Sequence, residues 1–80
     1  MAVNVKKFEE AINESQLLIS EGKLIIFDRH GKREEHHVDG EVRIDSGFFT
    51  ILRWTENGKK QEANVSDIKS VNGIQKSNFE

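Results

Sequence analysis

The chain has 80 residues and a mass of 9.2 kDa, enough for one small domain but not for two separate hydrophobic cores. It has no cysteine, which excludes disulfides and thiolate metal sites, and its apolar runs are far shorter than the roughly 18 residues of a membrane span. Its 12 basic and 14 acidic residues give a net charge of −2, which excludes an overall basic footprint for nucleic acid.

The first third of the chain predicts a helix over about residues 4–20. Asn4 is a suitable N-cap residue, and Gly22 is a typical helix stop. Apolar or small side chains recur at the spacing that lines them up along one side of a helix. These are Phe8, Ala11, Ile12, Ser15, Leu18 and Ile19.

Strand patterns follow the helix as far as residue 75. The predicted strands span residues 23–28, 35–45, 48–55, 60–65 and 71–75. The second alternates apolar and polar side chains, as a strand with one buried and one wet face does. Ser66 and Asp67 favour one helical turn before the last strand. The fold class is therefore mostly β (α+β), with a single domain at 1–75 and a polar tail at 76–80.

Two short turns set the predicted strand register. Ser46-Gly47 and Asn57-Gly58 each have the composition of a two-residue hairpin loop. Such loops pair Ile44 with Phe49, and Trp54 with Gln61. The central strand is then apolar on both faces, so one face needs a cover from the helix or from another chain. A bulge at either turn would exchange the two faces.

The order of elements carries a resemblance to known small barrels. The segments that share the pattern are the opening helix, residues 23–27, residues 40–45, the turn at Asn57-Gly58 and residues 65–71. Over about residues 8–75 the chain resembles the Sm-like and SH3-like small barrels, including the bacterial RNA-chaperone family Hfq. It also resembles the YolD-like proteins of Gram-positive bacteria and their phages. The resemblance implies a five-stranded antiparallel meander that forms a small barrel, and a phage or prophage origin.

The Sm-like resemblance also bears on nucleic-acid binding. In that family the loop after the second strand carries an Asp that helps to form a nucleotide pocket, and Asp45 falls at that place. The family's second RNA-binding motif, a basic residue beside a small residue or histidine, has no match at residues 64–66. The resemblance therefore supports the fold more strongly than it supports RNA binding.

Histidines and carboxylates form no pattern of a metal site or a catalytic site. His36 and His37 are adjacent, so a strand directs them to opposite faces and they cannot bind one ion together. Acidic pairs such as Glu34-Glu35 are typical of solvated faces, and the glycines are scattered at turns rather than gathered in a phosphate loop. We therefore predict no enzyme activity, no metal site and no cofactor.

Three residues are candidates for a binding surface: Phe48, Arg53 and Trp54. Aromatic residues and arginine are enriched at the centres of protein interfaces. The alternative is that Phe48 and Trp54 simply pack under the helix. Basic residues near Arg53 are interleaved with acidic ones, which is typical of a solvated surface of mixed charge.

These observations favour a non-enzymatic interaction module. We expect a protein-binding regulator or inhibitor that acts by occluding its partner, and the alternative is an Sm-like nucleic-acid-binding protein. The absence of a basic motif before the last strand favours the protein partner. Met1 to Lys7 leads into charge rather than into an apolar segment, so we expect a cytoplasmic protein without a membrane partner. Exposed strand edges favour a homodimer or small oligomer.

Overall fold

The structure, a computed structural model, describes residues 3–80, so the first two residues of the predicted domain lie outside the described residues. The predicted mostly β class is confirmed. Neither α-helix of the described residues is long and apolar enough to cross a membrane. The helices are α1 Val5–Asn13 and α2 Gln16–Glu21, with 3-10 helices at Val65–Asp67 and Lys76–Phe79. The strands are β1 Lys23–Asp28, β2 Arg33–His37, β3 Arg43–Ser46, β4 Thr50–Glu56, β5 Lys59–Asn64, β6 Ile68–Val71 and β7 Ile74–Gln75.

The seven strands form two antiparallel sheets. The first sheet has the order β2-β1-β6-β7, and the second has the order β3-β4-β5. In the first sheet, β1 pairs with β2 on one side and with β6 on the other. Residues 3–80 contain no closed barrel, and the single five-stranded meander is not confirmed.

The meander is interrupted because the predicted strand 35–45 divides into β2 and β3, which belong to different sheets. Between them Gly40 has a φ of 91°, a conformation that side chains with a Cβ rarely adopt. The Val38 N–H donates to Gly22 O at 2.7 Å, and the Asp39 N–H donates to Thr55 O at 2.8 Å. The crossing segment is thus held both at the start of β1 and on β4, and it carries the chain from one sheet to the other.

The predicted helix at 4–20 is two helices with a break at residues 14–15. Asn4 caps the first as predicted, because its Oδ1 accepts from the Lys7 N–H at 3.2 Å. Gly22 ends the second in the left-handed region, with a φ of 62°. At the break Ser15 is extended, and its hydroxyl donates to Ile12 O at 2.6 Å. The predicted apolar side of the helix is therefore buried as far as Leu18, whereas Ile19 is 62% exposed.

The hydrophobic core lies between the two sheets and is filled from one side by α1. Phe8 and Ile12 from the helix are fully buried, as are Leu24 of β1 and Leu52 of β4. The other members of the core come from α2, from β1, β3, β4 and β6, and from the connections between strands. These are Leu18, Ile26, Val38, Val42, Ile44, Trp54, Val65, Ile68 and Val71.

Residues 76–80, predicted as a polar tail, lie against the core. The Phe79 ring lies 5.4 Å from the Phe8 ring, and Phe79 O accepts from the Asn4 N–H at 2.7 Å. The Lys76 ammonium donates to Val65 O at 2.9 Å. The C-terminal 3-10 helix therefore holds the first turn of α1 in place.

The two hairpins of the second sheet differ in register. At Asn57-Gly58 both residues have positive φ, 53° and 77°, which is the two-residue type I′ turn, and the predicted pairing of Trp54 with Gln61 is confirmed. At the other hairpin Ser46 pairs with Thr50, so the loop has three residues and Ile44 lies opposite Leu52.

The predicted pairing of Ile44 with Phe49 is therefore wrong by three residues, because Ile44 lies opposite Leu52. A two-residue loop of the primed type requires positive φ at its first central residue, and neither Ser46 nor Gly47 has it. The slip places Ile44, Leu52 and Trp54 on the buried face. It leaves Phe48 and Phe49 in the loop.

We predict that Ile12→Ala lowers the free energy of unfolding by about 2–4 kcal/mol, as expected for a fully buried large-to-small change. Chemical denaturation measures this loss. Ile19→Ala is the matched control, because the same truncation at a 62% exposed helical site should change stability by less than about 0.5 kcal/mol. Equal losses at the two sites would contradict the packing of α1 described above.

Candidate interaction surface

The structure separates the three candidate residues. Phe48 lies at the tip of the β3–β4 hairpin and is 102% exposed, whereas Trp54 is only 5% exposed and belongs to the core. Arg53 lies next to Trp54 on β4, so its side chain is on the opposite, outer face of the second sheet. The three residues do not form one continuous surface.

Trp54 and Glu56 of β4 hold β2 against the second sheet. The indole Nε1–H of Trp54 donates to Glu56 Oε1 at 3.3 Å, and the His36 ring lies 5.0 Å from the indole. The same Glu56 oxygen lies 3.1 Å from His36 Nδ1, and Glu56 Oε2 accepts from the His37 N–H at 3.2 Å. The carboxylate thus joins two strands that share no backbone ladder.

These donors affect the acidity of Glu56. The His37 backbone N–H, followed by the Trp54 indole N–H, lowers the pKa of the Glu56 carboxyl below its ordinary value of 4.5, and His36 acts in the same direction. The ionised form is therefore favoured in the folded protein. The stabilisation that it provides is present above pH 4.5 and is lost as the pH falls through the lowered value.

Arg53 has its charge matched by two carboxylates. Its Nε lies 2.7 Å from Asp45 Oδ2 on β3, and its Nη1 lies 2.9 Å from Glu62 Oε2 on β5. The ion pairs cross all three strands of the outer face. Asp45, the residue at the place of the Sm-like nucleotide-pocket Asp, is therefore engaged by Arg53 within the sheet.

Phe48 and Phe49 form an exposed aromatic tip, the name used below for these two side chains. Phe49 is 66% exposed, and the two ring centroids are 6.3 Å apart with the planes inclined at 42°. A groove of about 570 Å³ lies beside the tip, between the hairpin and the chain ends. Val3 and Val5, which are partly buried, contribute apolar surface to it, and polar side chains such as Asn64, Lys76 and Glu80 also line it. The two exposed rings lie together at the edge of this groove, unlike a single exposed apolar residue.

Phe49 was not among the candidate surface residues, because the predicted register placed it within a strand opposite Ile44. The available signal was the residue before Gly47: Ser46 carries a Cβ, which disfavours the positive φ that a two-residue loop would need there. A three-residue loop puts both phenylalanines at the tip. Among the described residues, no three His, Asp or Glu side chains form a group that could hold a metal ion.

We predict that Glu56→Gln makes stability less sensitive to acid. The wild type should lose stability below about pH 4.5 as Glu56 is protonated, and the variant has no such carboxyl to titrate. Thermal unfolding between pH 3 and pH 7 measures the difference. Glu14→Gln removes an exposed carboxylate elsewhere and is the control. Identical pH profiles for the wild type and Glu56→Gln would contradict the role of this carboxylate.

Comparison with protein-family models, with curated proteins and with solved structures finds no match for this chain.

Proposed function

We propose that the chain is a non-catalytic protein-binding module, a regulator or inhibitor that occludes its partner, and that the aromatic tip is its contact surface. The observation that carries this proposal is the full exposure of Phe48 beside the largely exposed Phe49. Aromatic side chains are the commonest anchors of protein interfaces. Two adjacent phenylalanines left in water are suited to an apolar pocket on another protein.

The tip is held on a rigid support. Ile44 and Leu52 lie opposite each other in the hairpin below it, and both are buried in the core. A contact surface that is already fixed loses little conformational entropy on binding. The hairpin therefore presents the two rings without a folding step.

The size of the tip indicates that the groove also takes part. Complete burial of a phenylalanine contributes about 1.5–3 kcal/mol, so the two together provide about 3–6 kcal/mol. A Kd of 1 mM already corresponds to about 4 kcal/mol. The tip alone therefore gives only weak binding, and a partner that binds tightly must also cover Val3 and Val5 in the neighbouring groove.

The charges near the tip favour protein over nucleic acid. Proteins that stack single-stranded bases on aromatic rings combine them with a positively charged groove. Here the residues that line the groove include one cation, Lys76, and one carboxylate side chain, Glu80, and the charge of Arg53 is matched by Asp45 and Glu62. Few cations remain near the rings to neutralise phosphates.

We also propose that the two sheets are halves of an open small barrel of the Sm-like and SH3-like kind. In support, β1 pairs with both β2 and β6, so the first sheet joins the start of the strand region to its end. The bend at Gly40 and the 3-10 helix Val65–Asp67 carry the chain between the sheets on either side.

We predict that Phe48→Ala/Phe49→Ala weakens partner binding roughly thirtyfold or more, as loss of about 2 kcal/mol or more at an interface hot spot would do. The wild type is immobilised, proteins are captured from a lysate treated with nuclease, and their affinity for the wild type and the variant is then measured. Ile19→Ala is the control, because it truncates another exposed large apolar residue away from the tip. Equal binding to both variants would contradict the assignment of the tip.

We predict only weak, salt-dependent binding to short single-stranded RNA or DNA, because few phosphates can be neutralised. Fluorescence anisotropy at physiological salt measures it. Sub-micromolar affinity would instead favour the nucleic-acid function.

A further inference from the structure

The two edge strands of the second sheet, β3 and β5, differ in whether their outward backbone groups are hydrogen-bonded. At the β3 edge the Val42 N–H donates to Asn13 Oδ1 at 2.8 Å, and Asn13 Nδ2 donates to Val42 O at 3.0 Å. The Ile44 N–H donates to Glu9 Oε2 at 2.7 Å. Side chains of α1 therefore occupy the hydrogen-bonding groups that a neighbouring strand would use.

The opposite edge, β5, has no such cover. In the type I′ hairpin the two residues that flank the turn, Glu56 and Lys59, are hydrogen-bonded to each other. Backbone N–H and C=O groups alternate in direction along a strand, so those of Gln61 and Ala63 also point towards β4. Lys60 and Glu62 then direct their N–H and C=O groups away from the sheet. Within residues 3–80 no hydrogen bond from a loop, helix or side chain reaches the backbone of either residue, and both are exposed.

An open edge of this kind can pair with another strand. The charges of β5 favour pairing with the β5 strand of a second copy of this chain. Antiparallel pairing across a two-fold axis must place outward-facing residues opposite each other. An axis at Gln61 pairs Lys60 with Glu62 of the second copy, and Glu62 with Lys60 of the second copy. Each pair brings opposite charges together, which stabilises a cross-strand contact.

The neighbouring registers lack this complementarity. An axis at Glu62 would place that residue opposite Glu62 of the second copy, and an axis at Lys60 would place two lysines together. Like charges directly opposite each other destabilise a strand pair. One antiparallel register is therefore favoured over the alternatives that use the same backbone groups.

We propose that two copies of this chain associate through β5, with the strands antiparallel and Lys60 of each copy opposite Glu62 of the other. The two three-stranded sheets then become one six-stranded sheet. Because the two β5 strands run in opposite directions, the two aromatic tips lie at opposite ends of the joined sheet. The dimer thus has two separate surfaces for partners. A single pair of edge strands buries little area, so the association is weak and depends on concentration.

Sedimentation equilibrium from micromolar to millimolar concentration tests the proposal. The expected wild-type mass rises from 9.2 kDa towards twice that value. Lys60→Glu should raise the dimer Kd about tenfold or more, because both cross-strand pairs become repulsive. Because Arg53 lies opposite Glu62 on β4, the exchanged pair is tested in an Arg53→Gln background. There Lys60→Glu/Glu62→Lys should keep the Kd of Arg53→Gln alone to within about threefold, since the charges between the two copies are exchanged but remain complementary. Lys69→Glu makes the same charge change at an exposed position on β6 and should leave the Kd unchanged.

Amide hydrogen exchange supplies a second measurement. The Lys60 and Glu62 amides should exchange more slowly as the wild-type concentration rises, whereas the Ile44 amide, already bonded to Glu9, should not change. A mass that stays at 9.2 kDa up to about 1 mM overturns the proposal, and would leave the edge for a strand of a different protein. The proposal is also overturned if the wild type forms a dimer and Lys60→Glu leaves the dimer Kd unchanged.

Discussion

The helix α1 holds the second sheet because its side chains take the place of a neighbouring strand. An amide side chain has one acceptor and two donor hydrogens, so Asn13 can bond both backbone groups of Val42. Glu9 lies four residues earlier, about 6 Å along the helix axis, and Ile44 lies two residues further along the strand, about 6.6 Å. The two spacings match, and they align the helix antiparallel to β3. The apolar side of α1 is thereby turned into the gap between the sheets.

This arrangement also determines which surfaces remain for other molecules. The β3 edge cannot accept a strand while Asn13 and Glu9 occupy it. On the edge of the first sheet, the His37 N–H of β2 is taken by Glu56. The β5 edge keeps its outward backbone groups, and the apolar tip projects from the end of the same sheet. The proposed binding through the tip and the proposed association through β5 use different parts of the sheet, so neither would exclude the other.

Local patterns in the sequence correctly predicted the features that depend only on neighbouring residues. Asn4 and Gly22 as helix caps and the register at Asn57-Gly58 follow from the preferences of single residues. The break at Ser15 depends on a distant contact, because its hydroxyl also accepts from Asn72 Nδ2 at 3.0 Å, and these residues are 57 positions apart. The position of Phe79 beside Phe8 depends on the whole fold in the same way. A pattern in a short stretch of sequence cannot predict either contact, because the two partners are far apart in the chain.

The aromatic tip shows how one turn decides which side chains face water. Had Ser46 adopted positive φ, a two-residue loop would have paired Ile44 with Phe49. Because a serine rarely adopts that conformation, the loop takes one more residue and every later side chain of β4 changes face. Trp54 then enters the core beside His36, and the two phenylalanines leave it. The same slip brings Arg53 outward between Asp45 and Glu62, where its charge is matched. The backbone at Ser46 thus explains both why Trp54 is not a surface anchor and why Phe49, together with Phe48, is available as one.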